Sequence, residues 1–336
     1  MVQQHYWTYG KKFELEKGGY IPEFTLSYST LGSLNEAGDN VVWVCHALTG
    51  DSNVLDWWPG LFEKDGVFSP EKYFIICANM LGGCYGSSGP LSINPETNQK
   101  YYHTFPFLTN FDTVKAFDLL REGLGINRIN SVIGGSMGGQ QALEWSIYRP
   151  EIFSNLIGLA TNAAHSPWAI AFNESQRMAI QTDPSWKESK DTAGIEGMKT
   201  ARAIALHSYR SYDIYKKNQA EDGQAANDFK ASSYQRYQGD KLAKRFNAFT
   251  YWTLSKAMDS HNVGRGRKTV ENALSLIQAD CHFIGINSDI LFPLEELEFM
   301  ARCTRHSDFN IINSGYGHDG FLVETVKIND VLRKSL

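Results

Sequence analysis

Ser136 stands in Gly134-Gly135-Ser136-Met137-Gly138-Gly139, a Gly-x-Ser-x-Gly pattern reinforced by Gly135 and Gly139. The apolar run Ser131–Ile133 precedes it and a helical pattern, Gln140–Tyr148, follows. Strand, tight turn and helix in that order are what a nucleophile elbow requires. Small residues let the serine backbone adopt a strained turn between strand and helix. The hydroxyl is then held at a helix N-terminus, where partial positive charge favours a developing oxyanion. A serine hydroxyl is a weak nucleophile, so the pattern demands a base, and the base an orienting carboxylate.

Those partners are expected later in the chain, the acid before the histidine. Asp289, in Asn287-Ser288-Asp289, follows the strand-like run Cys281–Ile286. His318, in Ser314-Gly315-Tyr316-Gly317-His318-Asp319-Gly320, follows the run Phe309–Ile312. Open parallel sheets carry ligand chemistry at those strand ends. Asp319 is a rival acid by adjacency. Asp280 precedes its strand, and His46, His103, His165, His207, His261, His282 and His306 lack a suitable strand-end loop. Two backbone N–H groups must receive the oxyanion: Met137, directly after the serine, and Leu48, in the loop His46–Asp51 after the run Val41–Cys45. Cys84, among the glycines of Leu81–Pro90, has no elbow of its own. There is no Gly-x-Gly-x-x-Gly, P-loop or His/Cys metal cluster, so the chemistry is expected to need no metal and no bound cofactor.

The elements that must position these groups alternate. Strand-like runs recur at Val41–Cys45, Tyr73–Ala78, Ile129–Ile133, Asn155–Leu159, Cys281–Ile286 and Phe309–Ile312, with helical patterns at Asp112–Leu124 and Leu294–Arg302. Continuous apolarity suggests strands covered on both faces, hence a mostly parallel sheet in an α/β chain. Lys12–Glu16 and Phe24–Thr30, separated by Gly18-Gly19, read as an antiparallel pair. Alternation stops over residues 163–278, where helices are expected at Pro167–Thr182, Gly194–Tyr209 and Tyr234–Asp259, with a polar connection over Lys216–Ala231. Residues 1–162 and 279–336 are therefore expected to form the core domain and 163–278 a helical lid over its site.

Bulk properties exclude several classes. With 336 residues the chain can bury a sizeable core. A formal net charge of −5 and only short basic runs (Lys241–Arg245, Arg265–Lys268) argue against nucleic acid. No run of 18 apolar residues suggests a membrane span, and Met1–Gly10 has no signal-peptide core. Five scattered cysteines without a Cys-x-x-Cys pair point to a reduced, cytoplasmic protein.

Longer blocks carry a family likeness. His46–Ser52, Asn79–Cys84 with Gly89-Pro90, and Gly134–Trp145 resemble the homoserine O-acetyltransferase family. So do Ala171–Glu174 with Gln176-Arg177, Ser288–Pro293 and Gly317–Leu322. The likeness runs from about Phe13 to the C-terminus. It implies an α/β-hydrolase fold with a mostly parallel central sheet and an inserted helical lid, assembled as a homodimer. It implies acetyl-CoA and L-homoserine as substrates in methionine synthesis, exchanging the acetyl group by ping-pong through an acyl-Ser136 intermediate. By position it assigns Arg202 and Tyr209 to the acceptor's carboxylate and Asp319 to its ammonium, chemistry suited to a guanidinium fork and a carboxylate. Asn53 stands where His is common, Ser87-Ser88 replaces a pairing with Thr, and Gln140 replaces a frequent Met. Related members use succinyl-CoA, or serine as acceptor. An esterase or peptidase, or a binding module on the same scaffold, are the readings further off.

Overall fold

The computed structural model describes residues 2–224 and 226–336. Met1 and Ala225, which belong to the expected core and to the expected polar connection, lie outside the described residues. Eight strands form one sheet: β1 Gln3–Tyr9, β2 Phe24–Leu31, β3 Val41–Cys45, β4 Phe74–Ala78, β5 Ile129–Gly135, β6 Phe153–Leu159, β7 Asp280–Ile286 and β8 Ser307–Ile312. Their spatial order is β1-β2-β4-β3-β5-β6-β7-β8. Only β1–β2 and β2–β4 pair antiparallel; the rest is parallel. All five residues of β3 are buried, as expected for a strand covered on both faces.

The two faces of the sheet carry two cores. One holds the T-shaped pair Trp43–Trp145, with centroids 4.9 Å apart, between β3 and α2 Met137–Tyr148, and also Phe117 of α1 Asn110–Gly123. The other gathers Val42, Val44, Trp58, Phe62, Ile157, Ile284 and Phe321. α1 begins with a reciprocal cap: Thr109 accepts from the Asp112 N–H, and the Asp112 carboxylate accepts from the Thr109 N–H at 3.0 Å.

The amino-terminal region departs from the sequence reading. Phe13–Glu14 pairs with Tyr20–Ile21, not with Phe24–Thr30. Gly18 and Gly19, at φ 88° and 79°, close this small hairpin in a conformation that side chains disfavour. The antiparallel partner of β2 is instead β1, in a register from Gln3↔Thr30 to Tyr9↔Phe24. β1 is a partly exposed edge strand of polar and aromatic residues, so no apolar run announced it.

Between β6 and β7 the chain is helical: α3 Pro167–Gln181, α4 Ile195–Tyr209, α5 Tyr212–Gln219, α6 Lys230–Ala243 and α7 Ala248–Asp259. The single helix expected over Tyr234–Asp259 is two. Asn247 accepts from the Thr250 N–H at 2.8 Å and so starts α7 afresh. The polar stretch expected as a connection begins inside α5, which Ser211 caps by accepting from the Ile214 N–H at 3.3 Å. Among the described residues no helix is long and apolar enough to cross a membrane.

Candidate active site

Ser136 follows β5 directly and caps α2 with φ 57° and ψ −129°, a region that a side chain rarely enters. Such strain costs about 1–3 kcal/mol and persists only where neighbours over-determine it. Here the Ser136 N–H donates to Leu159 O at 3.0 Å, and its carbonyl accepts from Thr161 Oγ1 at 2.9 Å and the Gln140 N–H at 3.2 Å. The Ser136 side chain makes no capping hydrogen bond, so its hydroxyl is not committed to the helix start. The glycines supply space: a Cβ on Gly138 would lie 2.0 Å from Cys45 O, and one on Gly135 2.4 Å from the Phe321 ring.

β7 and β8 end at the same edge of the sheet as β5. Their loops bring together Asp289 and His318: His318 Nδ1 and Asp289 Oδ2 are 2.7 Å apart, with both side chains buried. A carboxylate only accepts, so Nδ1 carries the hydrogen and Nε2 is left as the acceptor. Asp289 is itself held by Leu291 and Phe292, whose N–H groups donate to Oδ1 at 2.7 and 3.0 Å. Phe292 lies 5.1 Å from the His318 ring on one side and Phe321 5.1 Å on another. Phe321 also abuts Gly135, so one ring packs on both the histidine and the residue before the serine.

A second pair of the same type, His282 Nδ1 to Asp308 Oδ2 at 2.7 Å, joins the opening residues of β7 and β8. It therefore sits at the edge of the sheet away from Ser136. His46 is also committed elsewhere: Nδ1 donates to Ala47 O at 2.9 Å and Nε2 accepts from the Met80 N–H at 3.3 Å. That ring braces the loop that carries Leu48. The turn there closes by Gly50 N–H to Ala47 O at 2.9 Å, which leaves the Leu48 N–H out of the turn's own hydrogen bond. Met137 opens α2, so its N–H is one of the unpaired donors of a helix start.

The three residues expected at the acceptor gather around the histidine. Tyr209 is stacked obliquely on His318, with centroids 5.7 Å apart, and the Arg202 guanidinium lies 5.4 Å over the Tyr209 ring. Burial pushes the Tyr209 hydroxyl up from its ordinary value. Burial likewise raises the Asp319 carboxyl, opposed by the positive charges of Arg210 and Arg202. Arg210 is a residue that sequence reasoning missed: its Nε is 3.0 Å from Asp319 Oδ2. Nothing in the local pattern pairs it with a carboxylate so far downstream; adjacency to Tyr209 was the one available signal.

A buried polar network underlies the elbow. Gln140 Nε2 donates to Asn162 Oδ1 at 2.9 Å and to His165 Nδ1 at 3.0 Å, and Asn162 Nδ2 donates to Glu296 Oε2 at 2.8 Å. Burial lowers His165 and His261 to about 3, so both are neutral struts and not bases. Ser87 and Ser88 also take structural roles, accepting from the Ser27 and Thr25 N–H groups of β2 at 3.0 and 2.9 Å. Burial pushes the Cys84 thiol up to about 12, far from a thiolate. All five cysteines are unpaired.

A model of the alpha/beta hydrolase fold matches residues 40–325. A homoserine O-acetyltransferase of Cyclobacterium marinum is 50% identical over 95% of this chain and 91% of its own length. The chain belongs to the homoserine O-acetyltransferase family. Among solved structures, homoserine O-acetyltransferase from Bacillus anthracis superposes with a TM-score of 0.89 over 99% of this chain and 98% of the other, at 23% identity. Esterase E22 superposes with a TM-score of 0.90 over 99% of both chains at 20% identity. At such identities these two show the α/β-hydrolase fold alone. Family membership makes the protein an enzyme of an acyltransferase lineage on a scaffold that esterases share.

Proposed function

We propose that the protein transfers the acetyl group of acetyl-CoA to the hydroxyl of L-homoserine. The observation that carries this reading is the buried His318–Asp289 pair at the strand-end edge that bears Ser136, flanked by Arg202, Tyr209 and Asp319. His318 Nε2 takes the Ser136 proton as Oγ attacks the thioester carbon; Asp289 steadies the imidazolium. The oxyanion is received by the Leu48 and Met137 N–H groups. Collapse breaks the C–S bond, and His318 returns the proton to the leaving thiolate. Homoserine then enters, with its carboxylate on Arg202 and Tyr209 and its ammonium on Asp319. His318 deprotonates the acceptor hydroxyl, which attacks the acyl-serine, and Oγ leaves with the proton. Because the serine itself carries the acyl group, the cycle asks for no metal and no bound cofactor.

An esterase is the second reading, since the same serine, histidine and aspartate would hydrolyse an ester if water reached the acyl-enzyme. The two differ in whether water or an amino-acid alcohol relieves the acyl-enzyme. Arg202 and Asp319 support the alcohol, since they offer opposite charges to a zwitterion. Acetyl-CoA and succinyl-CoA, each crossed with homoserine and serine and read by mass spectrometry, test this. O-acetylhomoserine as the main product is expected; free acetate in its place would install the esterase reading. Acyl transfer undiminished in Ser136→Ala would refute the covalent route. The same reading places the protein in the cytoplasm, supplying an activated homoserine for methionine synthesis. It also makes the protein a homodimer. Light scattering would test that assembly.

A further inference from the structure

The end of α4 is fastened to the loop that carries the base. Gly317, at φ 70°, packs so closely that a Cβ there would lie 2.8 Å from Ser211 N and 3.0 Å from Tyr209 O. Ser211 Oγ donates to Gly315 O, a second tie between the same two segments. Between them Arg210 spans from the ring of Tyr234 on α6, 5.6 Å from its guanidinium carbon, to Asp319 beside His318. The contact with Asp319 is close but not aligned: Nε stands 3.0 Å from Oδ2, yet that N–H has no hydrogen-bond acceptor among the described residues. One N–H of the guanidinium thus meets one of the two carboxylate oxygens. That matters because a carboxylate has several acceptor directions, and an ammonium needs them.

We propose that Arg210 is a positioning residue for the acceptor: it holds the Asp319 carboxylate in place against the His318 loop without using up the acceptor directions that the substrate's ammonium requires. This rests on the acyl-transfer reading above and deepens it. A largely buried carboxylate facing an ammonium alone would be free to rotate and only partly compensated between turnovers. A guanidinium clamped by Tyr234 compensates it permanently. Arg202, the other cation near Asp319, is left for the acceptor's carboxylate. The role concerns the second half-reaction only, since acetyl-CoA has no ammonium to place.

The test uses the full chain with Arg210→Ala and Arg210→Lys. Acylation of Ser136 by acetyl-CoA, followed by rapid quench and intact mass, is expected to stay within about twofold of the unaltered protein, which also reports correct folding. For homoserine, kcat/KM is expected to fall about ten- to a hundredfold in Arg210→Ala, chiefly through KM, the size of one charged interaction. Arg210→Lys, which keeps the charge, should recover part of it. For 4-hydroxybutanoate, homoserine without its amine, Arg210→Ala and the unaltered protein should agree within about twofold. Equal losses for both acceptors, or a parallel loss of Ser136 acylation, would overturn the assignment. No acylation in the unaltered protein would overturn the acyl-transfer reading and this one with it.

Discussion

Replacing Asp289 by asparagine separates the carboxylate's orienting role from its shape. Asp289 Oδ1 accepts from the Leu291 and Phe292 N–H groups, and Oδ2 faces His318 Nδ1 at 2.7 Å. In Asp289→Asn the amide oxygen stays with the two backbone donors, because the flipped orientation would turn an NH2 toward two N–H groups. The amide then presents hydrogen to Nδ1, which must accept, so the imidazole proton moves to Nε2. That nitrogen can no longer take the proton of Ser136. Restoring the productive tautomer means flipping the amide and leaving two buried donors unpaired, about 1–3 kcal/mol each. A total of about 2–6 kcal/mol, at about 1.4 kcal/mol per factor of ten, predicts a fall of about thirtyfold to ten-thousandfold in Ser136 acylation. The measurement is a single-turnover mass assay with acetyl-CoA, beside a thermal melt expected to move little because volume and shape are kept. Acylation within about threefold of the unaltered protein would refute the reasoning: Asp289 would not set the tautomer.

Two further outcomes follow from packing and charge. Gly138→Ala places a methyl 2.0 Å from Cys45 O, a backbone atom, so the end of β3 must move and take the Leu48 loop with it. Overpacking of this kind costs about 1–3 kcal/mol, and acylation should fall more steeply than the melting temperature; unchanged acylation would exclude the loop from the oxyanion site. Glu296 is raised from 4.5 to about 7, first by burial and further by the charges of Asp289 and Glu295, against the Asn162 hydrogen bond. The folded protein then binds more protons than the unfolded one between about pH 4.5 and 7, so this group's contribution to stability declines as pH rises through that window. In Glu296→Gln the melting temperature should rise by about 1–2 °C at pH 8, allowing for solvent screening of a half-buried side chain. Below about pH 5 the gain should vanish, and calorimetry across pH checks both limits.

How much of this was legible in the chain depends on range. The elbow is a local object: five residues set the turn, and the flanking runs set strand and helix, so Ser136 could be read without tertiary knowledge. Asp289 and His318 were legible because each follows an apolar run directly, and parallel strands end on one side. The break at Asn247 was written in the chain too, as an N-cap residue inside a segment otherwise read as one helix, and so was Ser211, an N-cap residue in a stretch given no element. β1 was not legible, since an exposed edge strand need not be apolar and its partner β2 lies beyond the small hairpin.

The amino-acid sequence by itself determined the serine elbow, the α/β architecture and the helical interruption, because each rests on residues adjacent in the chain. Only the tertiary structure brought His318 Nδ1 within 2.7 Å of Asp289 Oδ2, and it made a second His–Asp pair at the opposite edge of the sheet. His282 and Asp308 are as close to each other as His318 and Asp289. It decided also that Arg210 meets Asp319 and that Gln140 reaches Asn162 and His165. The physical reason is that a hydrogen bond or an ion pair reaches about 3 Å, a distance that only the folded chain sets between residues far apart in sequence.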